Sequence, residues 1–83
     1  MSNAFSYKGK ILGHIHGYVE ESITKFVIGV EDIEDLERLC RLADDEIIEI
    51  NGTHFLYKQF KKEILTKTKR INLSNREYNL DPN

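Results

Sequence analysis

Two residues, Asn51-Gly52, constrain this chain more than any others. Both central positions of a two-residue type I′ turn need positive φ, and Asn-Gly is the dipeptide that meets this need best. Apolar residues flank the pair: Ile47, Ile48 and Ile50 before it, Phe55 and Leu56 after it. The spacing predicts a hairpin of strands 46–50 and 53–58. A two-residue loop fixes the register, with Ile50 opposite Thr53, Ile48 opposite Phe55 and Ile47 opposite Leu56. Ile48 and Phe55 then meet as a β-branched and aromatic cross-strand pair. A competing reading has Thr53 cap a helix whose apolar stripe is Leu56, Phe60 and Ile64. The hairpin is preferred.

Upstream, residues 5–30 read as two antiparallel strands. Phe5, Tyr7, Ile11, Ile15 and Tyr18 fall mostly at even intervals, the period of one strand face. Gly9, Gly13 and Gly17 punctuate the stretch and suggest bends or close backbone approach. Residues 19–22 form the turn, and residues 23–30 are rich in β-branched side chains. Residues 32–43 read as a helix, with Ile33, Leu36, Leu39, Cys40 and Ala43 as its apolar face. Asp32 is its N-cap, with Asp35 three residues on. Residues 59–70 are ambiguous: Phe60 and Ile64 suit a helix, while Thr66, Thr68 and the lack of a cap weaken it. The expected fold is α+β: a mostly antiparallel sheet of two hairpins, one amphipathic helix between them (ββαββ) and a basic C-terminal segment. Residues 1–71 form a single domain and residues 72–83 a polar tail.

At 83 residues the chain buries only about 60% of its unfolded surface. One helix over two hairpins makes a thin core, so a second copy or a partner is expected to complete it. A single Cys excludes an internal disulfide and suits a reducing cytoplasm. Residues 1–7 lack the basic and apolar regions of a secretory signal. No apolar run approaches the roughly 20 residues that span a bilayer. Ten Ile, eight Lys and six Asn against two Ala and four Arg are the usage of an AT-rich genome, bacterial or phage.

The net charge of -2 hides two blocks. Residues 31–49 hold nine acids and two arginines, a net of -7. Residues 58–76 hold seven bases and one acid, a net of +6. Three readings compete. The acidic face is solvated and the basic segment folds back to pair with it, each exposed pair contributing little. Or the acidic helix docks on a basic protein through Glu31, Glu34, Asp35, Glu37, Asp44 and Asp45, with complementary potentials speeding encounter. Or Lys61, Lys62, Lys67, Lys69 and Arg70 bind nucleic-acid phosphates, with Tyr57 and Phe60 near enough to stack. The sequence pI of about 5.9 argues against the last.

Sites for chemistry are sparse. His14 and His16 share a strand face, but a catalytic zinc site takes three protein ligands, and a third would have to come from His54 or a distant carboxylate. The expectation is two exposed imidazoles and no metal. Cys40 lies on the predicted apolar stripe and reads as a small core side chain. Carboxylates are plentiful, yet acid–base catalysis needs environments that push their pKa values apart. No phosphate-binding loop, nucleophile elbow or zinc-protease motif is present. The expected function is a small non-enzymatic binding or regulatory protein without a cofactor. It would be cytoplasmic and would block a host protein through its acidic helix, as a phage or mobile-element product would. Nucleic-acid binding by the basic segment is the alternative.

Overall fold

The computed structural model describes residues 2–73 and 76–79, with side chains described for residues 3–73. It is mixed α+β. Three strands come first, β1 (Ser2–Tyr7), β2 (Lys10–Glu20) and β3 (Ile23–Val30), then helix α1 (Ile33–Arg41). Strands β4 (Ile47–Ile50) and β5 (Thr53–Leu56) follow, then helix α2 (Tyr57–Glu63), a 3-10 turn (Leu65–Lys67), β6 (Thr68–Leu73) and β7 (Arg76–Asn79). All seven strands join one sheet in the order β5-β4-β1-β2-β3-β6-β7. Neighbours run antiparallel except β3 and β6, which are parallel.

The hairpin at Asn51-Gly52 forms in the expected register. Ile50 faces Thr53, Ile48 faces Phe55 and Ile47 faces Leu56, with Asn51 at φ 51° and Gly52 at φ 78°. The strand stops at Leu56, not at residue 58. The Gln59 side chain accepts a hydrogen bond from the Leu56 amide at 3.0 Å and starts α2 there. Residues 59–70, ambiguous in sequence, are therefore helix, turn and strand in succession.

The two strands expected in residues 5–30 are three. Lys8 (φ 50°) and Gly9 (φ 81°) make a second tight turn, splitting the first strand into β1 and β2. Its first position is a lysine, which carries no turn preference of its own. Glu21 (φ 53°) and Ser22 (φ 66°) make a third, within the expected turn. Non-glycine residues resist positive φ because Cβ crowds the carbonyl, so this tip is strained on both sides. Residues 72 and 73 close β6, and residues 76–79 pair with it in β7. The rest of the segment expected as a tail, residues 74, 75 and 80–83, lies outside the described residues.

Both helices pack on one face of the sheet. Leu39 from α1 and Phe60 from α2 share a core with Phe5, Leu12, Ile15, Ile28, Ile48, Ile71 and Leu73. Phe5 sits at the middle, fully buried, its ring centroid 5.4 Å from that of Phe60. It lies opposite Gly13 on one side and Ile50 on the other. A register shift between Phe5 and Ser6 marks a bulge across from Leu12. The bulge re-aims the chain, so that Leu12 is buried while Ile11 is 55% exposed. The Ala4 and Ser6 side of β1, its register partners His14, Ile11 and Glu49, and His16 form the other face, which none of the described helices covers.

A Cβ on Gly13 would lie 2.4 Å from the Gly29 carbonyl oxygen and 3.0 Å from the Phe5 ring. Gly13→Ala is expected to cost about 1–3 kcal/mol by overpacking. A Cβ on Gly29 would meet nothing within 4 Å, so Gly29→Ala should leave the urea midpoint unchanged or slightly raised. Ser22→Gly relieves a positive φ and should stabilise by about 0.5–1 kcal/mol. Urea denaturation of the three variants at pH 7 checks all of these.

Candidate functional site

The helix α1 starts where its cap dictates. Asp32 Oδ1 accepts the Asp35 amide at 3.0 Å. The buried stripe is narrower than the sequence suggests: Leu39 and Asp35 are buried, Leu36 is half-buried, and Ile33, Cys40 and Ala43 are exposed. Cys40 is thus a solvent-facing thiol and not a core residue. A nine-residue helix lying across the sheet presents only about one residue per turn fully to it, and Leu36, Leu39 and Leu42 already fill that edge.

The six expected acidic contacts divide into two groups. Asp35 is only 6% exposed and turns under the helix to Lys10 on β2. Its Oδ1 lies 2.9 Å from the Lys10 ammonium but off the hydrogen-bond direction, so charge alone holds the pair. Asp35 therefore leaves the outer face. Asp44 is exposed but pairs with Lys61 of α2 at 2.6 Å, which holds its carboxyl below the usual carboxylate range. Glu31, Glu34, Glu37 and Asp45 remain on the surface. Glu34 and Glu37 line an open recess of about 460 Å³ together with Tyr7, Arg38, Arg41 and Leu42. Glu37 and Arg41 form an i,i+4 pair at 3.5 Å. Among the described residues Glu34 and Asp45 have no ion-pair partner.

Two residues the sequence did not single out shape this recess. The Tyr7 hydroxyl donates to Glu46 at 2.7 Å, and that bond, which needs the phenolic proton, raises the Tyr7 pKa. It ties β1 to the loop before β4, from which Asp45 projects. Glu46 also accepts the Tyr57 amide through its carbonyl at 2.7 Å, joining the loop to α2. Long-range contacts of this kind leave no local signature in sequence.

The basic segment does not gather into one patch. Lys61 answers Asp44 and covers the Tyr57 ring at 5.3 Å. Lys62 is exposed on α2 and Lys67 on the 3-10 turn. Lys69 reaches Glu20 at 3.5 Å, and Arg70 pairs in register with Val27 on the uncovered face. Tyr57 and Phe60, offered as stacking residues, are 3% and 1% exposed and belong to the core. His14 and His16 are exposed on β2, while His54 pairs with Glu49 at 3.3 Å. Among the described residues no three His, Cys, Asp or Glu side chains are grouped to hold a metal ion. None of the described helices is long and apolar enough to cross a membrane. Compared with family models, curated proteins and solved structures, the chain matches none.

Burial, with the charges of the Cys40 thiolate and Asp44 adding, pushes the Tyr57 phenol up to about 12. A tyrosine kept neutral in the fold but free to ionise when unfolded supports the fold below its ordinary pKa. That support is lost as pH rises through the folded value. The urea midpoint is therefore expected to fall from about pH 10 toward 12, and Tyr57→Phe should flatten this limb relative to wild type.

Proposed function

We propose that the protein is a small non-enzymatic binding module that docks on a basic surface of another protein through the outer side of α1 and the loop before β4. The observation that carries this reading is the placement of Glu34 and Glu37 on the wall of one open recess, with Glu31 at the start of the helix and Asp45 in the loop, all exposed. An Arg or Lys of the partner entering the recess meets carboxylates already held in place on a helix. Arg41 pairs with Glu37 at 3.5 Å, and with Arg38 on the same lining it selects against a uniformly basic peptide. Asp35 and Asp44 serve this surface indirectly. Their pairs with Lys10 and Lys61 fasten α1 to β2 and the loop to α2.

Complementary potential of this kind governs encounter rate and partner choice more than final affinity. A regulator that must find one protein among many gains most from it. The AT-rich residue usage supports a phage or mobile-element product acting on a host protein.

The test is paired affinity capture from the source cell with wild type and the Glu34→Lys/Glu37→Lys variant, at low and at high salt. Both side chains are exposed, so circular dichroism should show an unchanged fold. A basic protein retained by wild type, released by salt, and bound about tenfold or more weakly by the variant is the expected result. Equal retention by both proteins overturns the reading, as does an empty wild-type eluate at low salt.

A further inference from the structure

A second charged feature lies away from the acidic face, at the start of β3 and the entry to β6. A recess of about 180 Å³ is lined by Ile23, Thr24, Lys25, Thr66, Lys67, Thr68 and Lys69. Three of its seven lining residues are lysines. A recess of this size is below the range of drug-sized ligand pockets and suits a small anionic group.

Local structure explains how the lysines converge. The Thr68 hydroxyl donates to the Ile64 carbonyl at 2.7 Å, and Thr66 donates to the Lys62 carbonyl. These bonds fix the 3-10 turn and the start of β6. The ladder between β3 and β6 then skips a residue: Phe26 faces Thr68 and Val27 faces Arg70. Lys69 is the residue left out. Bulges recur where a strand must re-aim a side chain, and here the re-aimed ammonium approaches that of Lys25.

The two ammonium groups already share an anion. Glu20 Oε1 lies 3.3 Å from Lys25 and 3.5 Å from Lys69. One carboxylate oxygen answers two lysines, and their hydrogen bonds and charges hold its carboxyl below the usual range. Lys67 is exposed and has no ion-pair partner among the described residues. Three lysines thus line one recess, and Glu20 stands between two of them. Glu20 sits beside the strained Glu21-Ser22 tip, with its side chain 51% exposed, so it can swing away at little cost.

We propose that the recess formed by Lys25, Lys67 and Lys69 binds a phosphate group, and that the Glu20 carboxylate occupies its place when no phosphate is bound. A phosphate offers up to three oxygens and up to two charges where Glu20 offers one charge, and it engages Lys67 as well. The Thr24 hydroxyl, exposed on the same lining, is a further donor. The phosphate can belong to a free small molecule or to a nucleic-acid backbone crossing the recess. This site shares no residue with the acidic face and stands independently of it.

Two probes separate the sources: inorganic phosphate, and a short oligothymidylate at the same ionic strength. Amide chemical shifts of residues 24–25 and 66–69 in a ¹H-¹⁵N spectrum report binding to the full-length protein. Shifts with phosphate alone assign a free phosphoanion; shifts with the oligonucleotide at far lower concentration assign a backbone phosphate. In either case Glu20→Gln should bind about two- to fivefold more tightly, and Lys67→Gln weaker by a similar factor. Both side chains are exposed, so the variants should fold. No shift with either probe overturns the proposal. Shifts that Glu20→Gln leaves at wild-type affinity overturn the exchange with Glu20.

Discussion

The structure depends on the contact between Phe5 and the backbone of Gly13. Strand β1 joins two units, the β1-β2-β3 meander and the β4-β5 hairpin, and its link to β4 rests on two register pairs, one of them Phe5 with Ile50. The Phe5 ring fills the space a side chain at residue 13 would occupy and reaches Phe60 on the helix that returns from β5. Truncating such a buried aromatic costs about 3–5 kcal/mol, a large part of the 5–15 kcal/mol that holds a typical domain. A chain of 83 residues has few such contacts. Their concentration at one strand explains why one glycine and one phenylalanine carry so much.

What could be read from sequence follows the range of the forces involved. The Asn51-Gly52 hairpin and its register are local, fixed by backbone sterics and a two-residue count, and they form as expected. The Asp32 cap is local too. The Lys8-Gly9 turn is equally local but chemically quiet, since only its second residue signals a turn, and the even spacing of apolar residues runs straight through it. The parallel pairing of β3 with β6 has no local cause at all. It results from α2 and the 3-10 turn carrying the chain beneath the sheet. The same holds for the site. That residues 31–49 are acidic is plain in the sequence. That Asp35 answers Lys10 and Asp44 answers Lys61 depends on where β2 and α2 lie. Cys40 is exposed for a related reason: periodicity gives the direction of a helix face, but the neighbour decides its width.

The uncovered face of the sheet is a consequence of the same topology. Both crossovers, through α1 and through α2, pass on the Phe5 side, so every buried contact accumulates there. Antiparallel sheets tolerate one wet face, and this one carries His14, His16 and Glu49 in register with small residues of β1. Val27 is an exception. It lies in the same row as His16 and Arg70 yet is only 9% exposed, shielded on a face that otherwise meets water.

Topology also sets how far each charged block acts as one field. The lysines of the basic segment run from Lys58, just past β5 on one edge of the sheet, to Lys69 in β6, five strand spacings away in the order β5-β4-β1-β2-β3-β6. At about 4.8 Å per spacing the two ends stand roughly 24 Å apart. This is some three Debye lengths at physiological salt, where one is about 8 Å. Lysines so separated do not sum into a single field, and the +6 of the segment is not a +6 patch. Lys61 and Lys69 are each drawn to a carboxylate close at hand, Asp44 for one and Glu20 for the other. The acidic block is different. Glu34 and Glu37 are one turn apart on a single helix, inside one Debye length, so their potentials add, less what the Glu37–Arg41 pair at 3.5 Å offsets. A compact acidic surface and a basic segment divided into local sites is the arrangement this crossover produces. It favours a protein partner for the first and a small phosphate-bearing group for part of the second.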